Sequence, residues 1–572
     1  TLFRSVWLVW HWGSFAHLEF RDPDDALRLM QVRNFVAGQG WFDVSQHRVN
    51  PPLGGPMHWS RIVDMPIAAI LLLARPWLGG PGAELLALTL VPLLLLGGLA
   101  AALFVAARRL AGPGAALLAV ALLLTAPSIL VQFTPLRIDH HGWQIMLAAL
   151  ALCGALDARP ARGGIVAALA LALWLQISSE ALPYVALFGA LFALRHWIAR
   201  DESPRFLAFA LGLSGLALPL LALLRGPSAL WAAQCDALSF VYIWPLVALT
   251  LSTILSARLI GLDGAGRRFA IAAIGGGAAL LVFLATGGPC LSGDPFAALG
   301  PLAYRLWYLQ VMEGRPIWEQ GLSMRGVILL PTLLGLAATL AAAWRAGGPA
   351  RARWLSLALL LLGAGAVSLL VMRALSVAHM LALPGIAWLL LALFRRAQSS
   401  TRPLVRVLGS VALVLLTPVG LCAVWVGLVP AAEPAPEKAG ADKAASANCR
   451  SAAVLAPLRA LPPATLFAPI DLGPDLLVQT RHRVIATAHH RNAAGITAVI
   501  EGFVAPPARA HGVIGRTSAA YVLSCDGLNE MRLYARADRA GLAAQLARGQ
   551  VPAWLEPVPV KPPLRLYRIR PE

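Results

Sequence analysis

Long apolar runs separated by short polar turns dominate the chain of 572 residues. Each run approaches the roughly 20 residues that a helix needs to cross a bilayer, and a helix satisfies its backbone hydrogen bonds within the segment. The pattern predicts a mainly α, polytopic membrane protein with about 13 transmembrane helices. The predicted spans are 1–16, 82–107, 113–132, 142–158, 163–179, 181–197, 205–224, 235–257, 269–286, 326–344, 354–372, 378–394 and 407–429.

The turns between these spans alternate between clustered and isolated arginines. Because cytoplasmic loops carry an excess of Lys and Arg, the clustered turns are predicted to be cytoplasmic. This assignment places the N-terminus inside, the tail after 429 outside, and the apolar stretch 62–79 in the first external loop as a membrane-dipping helix. The first span is short and lacks an initial Met, so we expect the natural chain to begin earlier. The clusters are Arg108 with Arg109, Arg159 with Arg162, Arg195 with Arg200 and Arg205, Arg258 with Arg267 and Arg268, Arg345 with Arg351 and Arg353, and Arg395 with Arg396, Arg402 and Arg406.

Composition agrees with a membrane protein and changes the interpretation of the charge. The chain is 58% hydrophobic and 13% charged, whereas a soluble protein carries about a quarter charged residues. The formal net charge of +19 is explained by the orientation signal and by attraction to anionic lipid. No segment resembles an RNA- or DNA-binding module, so we expect the bilayer and no nucleic acid as a partner.

The segments predicted outside the membrane are 17–81, 287–325 and 430–572. We predict a transmembrane catalytic domain over 1–429, a low-complexity linker over 430–448 and an extracytoplasmic α/β domain over 449–572. Strands are expected at 452–455, 484–487 and 520–523. The expected location is a bacterial inner membrane, with the C-terminal domain in the periplasm.

The chain contains six cysteines, and their positions predict their roles. Cys153 and Cys422 lie within predicted spans. Cys449 and Cys525 lie together in the tail and could form a disulfide in an oxidising compartment. The same possibility exists for Cys235 with Cys290, although the Cys449–Cys525 pair is favoured.

Acidic and histidine clusters interrupt the otherwise apolar chain. A charged group beside a bilayer is costly to keep there, and such groups usually mark a binding or catalytic site. Capping of a helix accounts for one aspartate of the first cluster but not for three. An Asp-x-His stretch offers an oxygen and an imidazole that suit Mn²⁺ or Mg²⁺. The clusters are Asp22-Pro23-Asp24-Asp25, Asp139-His140-His141, Glu313 and His489-His490.

Short motifs give the chain a resemblance to a known family. The second and third spans are followed by Asp139-His140-His141, Asp22-Pro23 is followed by Arg28, and residues 50–59 read Asn-Pro-Pro-Leu-Gly-Gly-Pro-Met-His-Trp. Together these features resemble the catalytic subunit of archaeal and bacterial oligosaccharyltransferases, which are membrane glycosyltransferases of the GT-C superfamily. The resemblance covers about residues 1–395 in architecture.

The resemblance implies roles for individual residues. Asp22, Asp139 and His141 match metal ligands of the family, and Glu313 matches the mobile-loop glutamate that bridges metal and acceptor, with Glu319 as the less favoured substitute. Asp22, Glu313 and Asp139 are thus the expected catalytic residues. The implied cofactor is a divalent cation, Mn²⁺ or Mg²⁺. The residue that matches the arginine of the donor phosphate is Arg373.

Further polar residues are weaker candidates for the same cavity. His379 lies near Arg373 in sequence and is considered for the donor phosphate, with interfacial packing as the alternative. Asp25 and Glu180 are considered for the cavity, with a snorkelling position at the membrane surface as the alternative for Glu180. The run His489, His490 and Arg491 is considered for the acceptor, with a solvated turn as the alternative.

The implied activity is inverting, metal-dependent transfer of a glycan from a polyprenyl-phosphate or -pyrophosphate carrier to an extracytoplasmic acceptor. The family's Trp-Trp-Asp-Tyr-Gly motif, which reads a glycosylation sequon, is absent from 430–572. The acceptor therefore stays open among protein, lipid and glycan. The alternatives are a GT-C monosaccharide transferase acting on lipid or polysaccharide and, less favoured, a transporter or flippase.

Overall fold

A computed structural model describes residues 11–292, 296, 299–429 and 449–570. Its first part consists of helices, most of them apolar. In chain order they are α1 (Trp12–Ala16), α2 (Pro23–Val36), α3 (Arg61–Leu122), α4 (Pro127–Leu130), α5 (His141–Ala155), α6 (Pro160–Ile177), α7 (Ala181–Ile198), α8 (Ser203–Arg225), α9 (Phe240–Ile260), α10 (Ala265–Thr286), α11 (Gly300–Leu306), α12 (Leu322–Arg345), α13 (Gly348–Leu370), α14 (Leu375–Gln398), α15 (Pro403–Ala412) and α16 (Pro418–Leu428).

The structure confirms a multi-pass α-helical membrane protein. Within the described residues, nine helices are long and apolar enough to span a bilayer, or ten if a bent pair is one span. The predicted span 82–107 and most of the span 113–132 lie in one helical run, Arg61–Thr125. Positive φ angles of 67° at Gly79 and 82° at Gly112 break this run, and only glycine adopts such angles without strain.

The remaining predicted spans have a simple correspondence in the structure. Span 142–158 is the shorter apolar helix α5, and span 407–429 is the pair α15 and α16, bent by 80°. Most of span 1–16 lies outside the described residues, as does the predicted linker 430–448. The stretch 62–79, predicted to dip into the membrane, begins the α3 run and ends at the break at Gly79.

Several clustered arginines hold neighbouring helix ends together at the end of the bundle opposite the site described below. Arg109 and Arg162 donate to Asp157 over 2.9 and 2.8 Å, and Arg205 donates to the carbonyls of Gly154 and Asp157 over 2.5 and 2.6 Å. Arginines can satisfy the unpaired carbonyls at helix C-termini. These residues therefore act in packing as well as in orientation.

The C-terminal part is a five-stranded sheet covered by helices. Its strands are β1 (Thr465–Phe467), β2 (Arg483–Val484), β3 (Tyr521–Cys525), β4 (Leu555–Val558) and β5 (Leu564–Ile569), and its helices are α17 (Ala452–Leu455), α18 (Gly473–Gln479), α19 (Ala493–Val504), α20 (Pro507–Gly515), α21 (Asn529–Ala537) and α22 (Leu542–Ala547). The strand order is β2-β1-β3-β5-β4, with β1 parallel to both of its neighbours and β5 antiparallel to β3 and β4.

The strand predictions fared unevenly. Residues 520–523 correspond to β3, but only one residue of 484–487 lies in β2. The prediction for 452–455 was wrong, because this segment is the helix α17, whose N-terminus is capped by the Ser451 side chain. A short apolar run fits either a buried strand or a helix, and the cap decides here. Cys449 and Cys525 form a disulfide that joins α17 to β3.

The C-terminal domain packs directly against the first predicted external loop. Val49 pairs with Val484, and Asn50 N–H donates to the Val484 carbonyl over 2.7 Å. The guanidinium of Arg48 donates to the carbonyls of Leu477 and Thr480 over 2.9 and 2.8 Å. A shared hydrophobic core includes Leu27, Met57 and Trp59 from the loop and Leu476, Ile485 and Ile496 from the domain. The first loop and the domain thus form one packed layer over the bundle.

Candidate active site

A cavity of about 670 Å³ lies between this packed layer and the helical bundle. Polar side chains converge on it from several distant parts of the chain, which is typical of a ligand site. Most of the candidate residues are among its lining groups. Its polar lining includes Arg21, Asp22, Asp24, His58, His140, Ser178, Ser179, Glu180, Asp236, Glu313, Arg373, Asp471, His489 and His490.

The residues of the first acidic cluster lie at the start of helix α2, where one caps the helix and another faces the cavity. Asp22 is the N-cap residue and accepts the N–H of Asp24 over 2.9 Å. Asp24 also lines the cavity, and its carboxylate has no hydrogen-bond or ion-pair partner among the described residues. Burial raises the pKa of Asp24 well above its usual range, and the charges of Asp22, Asp139 and Glu313 raise it further. Negative charge is therefore concentrated around Asp24, and its own ionisation would be favoured by a cation bound there.

Asp25 faces away from the cavity and supports the second cluster. Its Oδ1 accepts the backbone N–H groups of Ile138 and Asp139 over 2.7 and 2.9 Å, and its Oδ2 accepts Arg137 over 2.9 Å. Arg137 also pairs with Asp22 and lies 3.3 Å from Asp139. Asp25 and Arg137 therefore position the two acidic segments against each other.

Asp139 and His141 form a buried pair at the start of α5. His141 Nδ1 lies 2.6 Å from Asp139 Oδ2, which leaves Nε2 as the ring nitrogen available to a metal. Although burial opposes ionisation, Arg137 and His141 hold the pKa of Asp139 well below its usual range. The ring of His140 stacks on His141 at 4.5 Å and lines the cavity.

Glu313 and Arg373 both line the cavity and lie close to each other there. Arg373 Nη1 lies 3.5 Å from Glu313 Oε1, and Nη2 pairs with Glu180. The Arg373 turn is held to the loop of Glu313, because Met372 N–H donates to the Arg315 carbonyl over 3.2 Å. Glu180 lines the cavity as the sequence led us to expect, and its contact with Arg373 is new.

Like Asp25, the candidates His379 and Glu319 lie outside the cavity lining. His379 is buried among the bundle helices, where Nδ1 lies 2.7 Å from the Ser128 hydroxyl and Nε2 lies 3.4 Å from the Ile328 carbonyl. Glu319 binds Arg315 over 2.6 Å and is outside the lining. The packing alternative describes the placement of His379 better than contact with a donor phosphate does.

The opposite wall carries the histidines of the C-terminal domain. His490 Nε2 lies 2.7 Å from Asp236, and Arg491 binds both oxygens of that carboxylate over 2.7 Å. His489 lines the cavity, its ring centroid 5.1 Å from that of His58. Burial lowers the pKa of both His58 and His489 well below the usual range.

Sequence reasoning missed several of these residues as site groups. Asp24 belongs to the first acidic cluster, but the predicted site residues of that cluster are its neighbours Asp22 and Asp25. Arg137 directly precedes the second cluster, and Asp236 is the acidic residue of the segment 226–239, next to Cys235. Cys235 forms a disulfide with Cys290 at the cavity wall, which fixes Asp236 near the site. The sequence feature that could have identified Asp236 is its position next to Cys235, a cysteine able to form a disulfide.

Solved structures of similar architecture are known. The fold is similar to that of the archaeal oligosaccharyltransferase AglB from Archaeoglobus fulgidus in complex with an inhibitory peptide and a dolichol-phosphate, with a TM-score of 0.64 and 14% identity over 95% of this chain and 69% of that chain. The chain has a GT-C fold. The fold is also similar to that of the Archaeoglobus fulgidus oligosaccharyltransferase in complex with Zn and sulfate. This second comparison has a TM-score of 0.54 and 13% identity, and it covers 92% of this chain and 66% of the oligosaccharyltransferase. No family model and no curated protein sequence matches this chain.

The acidic wall of the cavity suits a divalent cation. Asp139, His140 and His141 offer ligand atoms within 4.8 Å of one another, and Asp22, Asp24 and Glu313 add hard carboxylate oxygens close enough to affect the pKa of Asp24. Such oxygen and imidazole ligands are compatible with Mn²⁺ or Mg²⁺. Arg137 pairs with Asp22 and Asp139, whereas Asp24 has no ion-pair partner among the described residues. A cation would therefore balance the charge of Asp24, which Arg137 does not. The residues present therefore fit the predicted cofactor.

Proposed function

We propose that this protein is a metal-dependent, inverting glycosyltransferase that moves a glycan from a polyprenyl-phosphate or -pyrophosphate carrier to an extracytoplasmic acceptor. The observation that carries the proposal is one cavity that joins an acidic cation site with Arg373 and borders an apolar groove. The similarity to AglB supports the choice of reaction, because that oligosaccharyltransferase was solved with a dolichol-phosphate.

The apolar groove supports a lipid-linked donor. It has a volume of about 470 Å³, lies among α7, α8, α9 and α10, and is lined by Ala, Gly, Val, Leu, Phe and Pro side chains with Tyr242. Leu182 and Tyr242 line both this groove and the polar cavity. A prenyl chain in the groove would therefore carry its phosphate to the edge of the cavity.

The proposed chemistry uses the charges of the cavity in a single displacement. As the acceptor attacks the anomeric carbon, the bond to the carrier's phosphate oxygen breaks and negative charge builds on the phosphate. The Arg373 guanidinium can pair with phosphate oxygens bidentately and stabilise that charge as it develops. A divalent cation would supply further electrostatic stabilisation. Asp22 or Glu313 is proposed to orient the acceptor or take its proton, and one direct attack inverts the configuration.

The acceptor is proposed to enter between the C-terminal domain and the bundle. Asp471, His489 and His490 of that domain line the cavity. The missing sequon-reading motif in 430–572 keeps protein, lipid and glycan acceptors open, and it favours a second candidate function. In that candidate, a single sugar is transferred from a polyprenyl monophosphate to a lipid or polysaccharide.

The proposal is tested with purified protein and a labelled lipid-linked oligosaccharide, with and without Mn²⁺. Wild-type protein is expected to transfer label only with the cation. Asp139→Asn is expected to lower metal affinity and transfer at least about tenfold, or about 1.4 kcal/mol, because it removes a charge while keeping the shape. Transfer at the wild-type rate with unchanged metal dependence would contradict the site assignment.

The proposed sidedness is tested separately. A fluorescent reporter that matures only in the cytoplasm, fused after Glu572, is expected to stay dark because the tail is proposed to be extracytoplasmic. The same reporter inserted between Arg200 and Asp201, in a predicted cytoplasmic loop, is the positive control. A bright fusion at the C-terminus would show that the orientation is inverted.

A further inference from the structure

Three histidines that have no role in the proposed chemical step meet at the cavity. His58, His489 and His490 each offer a ring nitrogen, and these atoms lie within 4.8 Å of one another. The ring centroids are 5.0 to 5.3 Å apart. His58 comes from the first loop and the other two from the C-terminal domain, so the tertiary structure creates the cluster.

Packing alone does not account for His489. Its residue is 4% exposed, and neither ring nitrogen has a hydrogen-bond partner in the part of the chain that the structure describes. His58 Nδ1 has no such hydrogen-bond partner either, although it lies 3.6 Å from Asp236 Oδ2. A buried polar group without a partner destabilises the folded protein. A ligand that accepts imidazole lone pairs would remove this penalty.

Asp236 hydrogen-bonds to His490 and fixes the orientation of its ring. Its Oδ2 accepts from His490 Nε2 over 2.7 Å, which leaves Nδ1 free for a metal. Arg491 binds both oxygens of Asp236 over 2.7 Å, so its positive charge is matched within the cluster. Metal-binding histidines commonly donate their second ring N–H to a carboxylate, which fixes the tautomer and ring orientation.

We propose that His58, His489 and His490 bind a second metal ion, of the Zn²⁺ class, with Asp236 positioning His490. Three imidazoles with a fourth position open to the cavity are a common Zn²⁺ arrangement, with Zn–N distances of about 2.0–2.1 Å. Imidazole ligands select Zn²⁺ over Mn²⁺ or Mg²⁺, which prefer the oxygen-rich acidic wall. The open position would accept an anionic oxygen of a molecule in the cavity. This inference goes beyond the proposed transfer reaction.

Metal binding by full-length protein tests the site without an activity assay. The protein carries an affinity tag that contains no histidine, is stripped with a chelator, and is loaded with Zn²⁺ in excess Mg²⁺, which saturates the acidic wall. Wild-type protein is expected to retain one Zn²⁺ per chain, and Co²⁺ in its place is expected to give the visible absorption of a nitrogen-ligated ion. His489→Gln removes a direct ligand and is therefore expected to weaken Zn²⁺ binding by more than the about 10–100-fold that loss of an outer-shell partner costs.

Matched variants separate this site from others. His47→Gln changes an exposed histidine of the same loop and should retain the ion, as should Asp139→Asn at the acidic wall. Gel filtration checks folding, and His58→Gln replaces His489→Gln if the latter misfolds. Equal Zn²⁺ content and equal Co²⁺ spectra in wild type and His489→Gln would overturn the proposal. Loss of inorganic phosphate binding with unchanged Zn²⁺ binding would also overturn it and would identify an anion site.

Discussion

Replacing Asp24 by Asn is expected to lower glycosyl transfer at least about 100-fold, or about 2.7 kcal/mol in the activation barrier. Asp24 lines the cavity, and its carboxylate lacks an ion-pair partner among the described residues. An amide keeps the size of the side chain but removes the charge that would hold the cation. The measurement is initial rate against Mn²⁺ concentration, and the rate is expected to recover partly at high Mn²⁺.

The matched control for this prediction is Asp43→Asn. Asp43 lies in the same loop, is partly exposed, and contacts His47 outside the cavity. It undergoes the same chemical change and should keep wild-type transfer and metal dependence. If Asp24→Asn behaves like Asp43→Asn, the cation is not bound at the acidic wall of the cavity.

Replacing Arg373 by Ala is expected to weaken the use of the donor about 50-fold, or about 2.3 kcal/mol, while metal affinity changes little. The guanidinium lines the cavity and pairs with Glu180, two residues before Leu182, which lines both the cavity and the apolar groove. Its loss removes a charge-assisted contact to the carrier's phosphate. The measurement is the KM for the lipid-linked donor, with the affinity for Mn²⁺ measured in parallel.

A structural side effect of this substitution needs its own control. Arg373 pairs with Glu180, which lines the cavity, and its removal leaves that carboxylate without its ion pair. The double variant Arg373→Ala with Glu180→Gln removes the unpaired charge. If the double variant regains wild-type donor KM, Arg373 acts through Glu180 rather than through phosphate. Arg305→Ala, an exposed arginine of the 287–325 segment, should leave donor KM unchanged.

The local pattern of hydrophobic and polar residues was sufficient to predict the helical bundle. Apolar runs identified the membrane helices, and the arginine clusters correctly grouped turns such as those of Arg109, Arg162 and Arg205 at one end of the bundle. The same pattern failed where it was too short to be distinctive. Residues 452–455 fit a strand or a helix equally, and the cap from Ser451 formed a helix.

The sequence also identified most of the segments that build the site, but not the orientation of individual side chains. Successive residues of a helix point about 100° apart, so only one face of α2 reaches the cavity. Asp24 faces the cavity, while Asp25 faces Arg137 and the backbone of Asp139. His379 lies six residues after Arg373 and is therefore about 9 Å deeper along α14, which removes it from the cavity.

The sequence by itself determined that this protein is a multi-pass membrane protein whose acidic clusters lie at span ends, because hydrophobic length and charge are local properties. Only the tertiary structure decided which distant groups share the cavity. Asp236 meets His490 and Arg491 across 254 and 255 residues, and Arg373 meets Glu313 across 60. Such contacts depend on how the C-terminal domain packs on the first loop, and no local pattern encodes that packing.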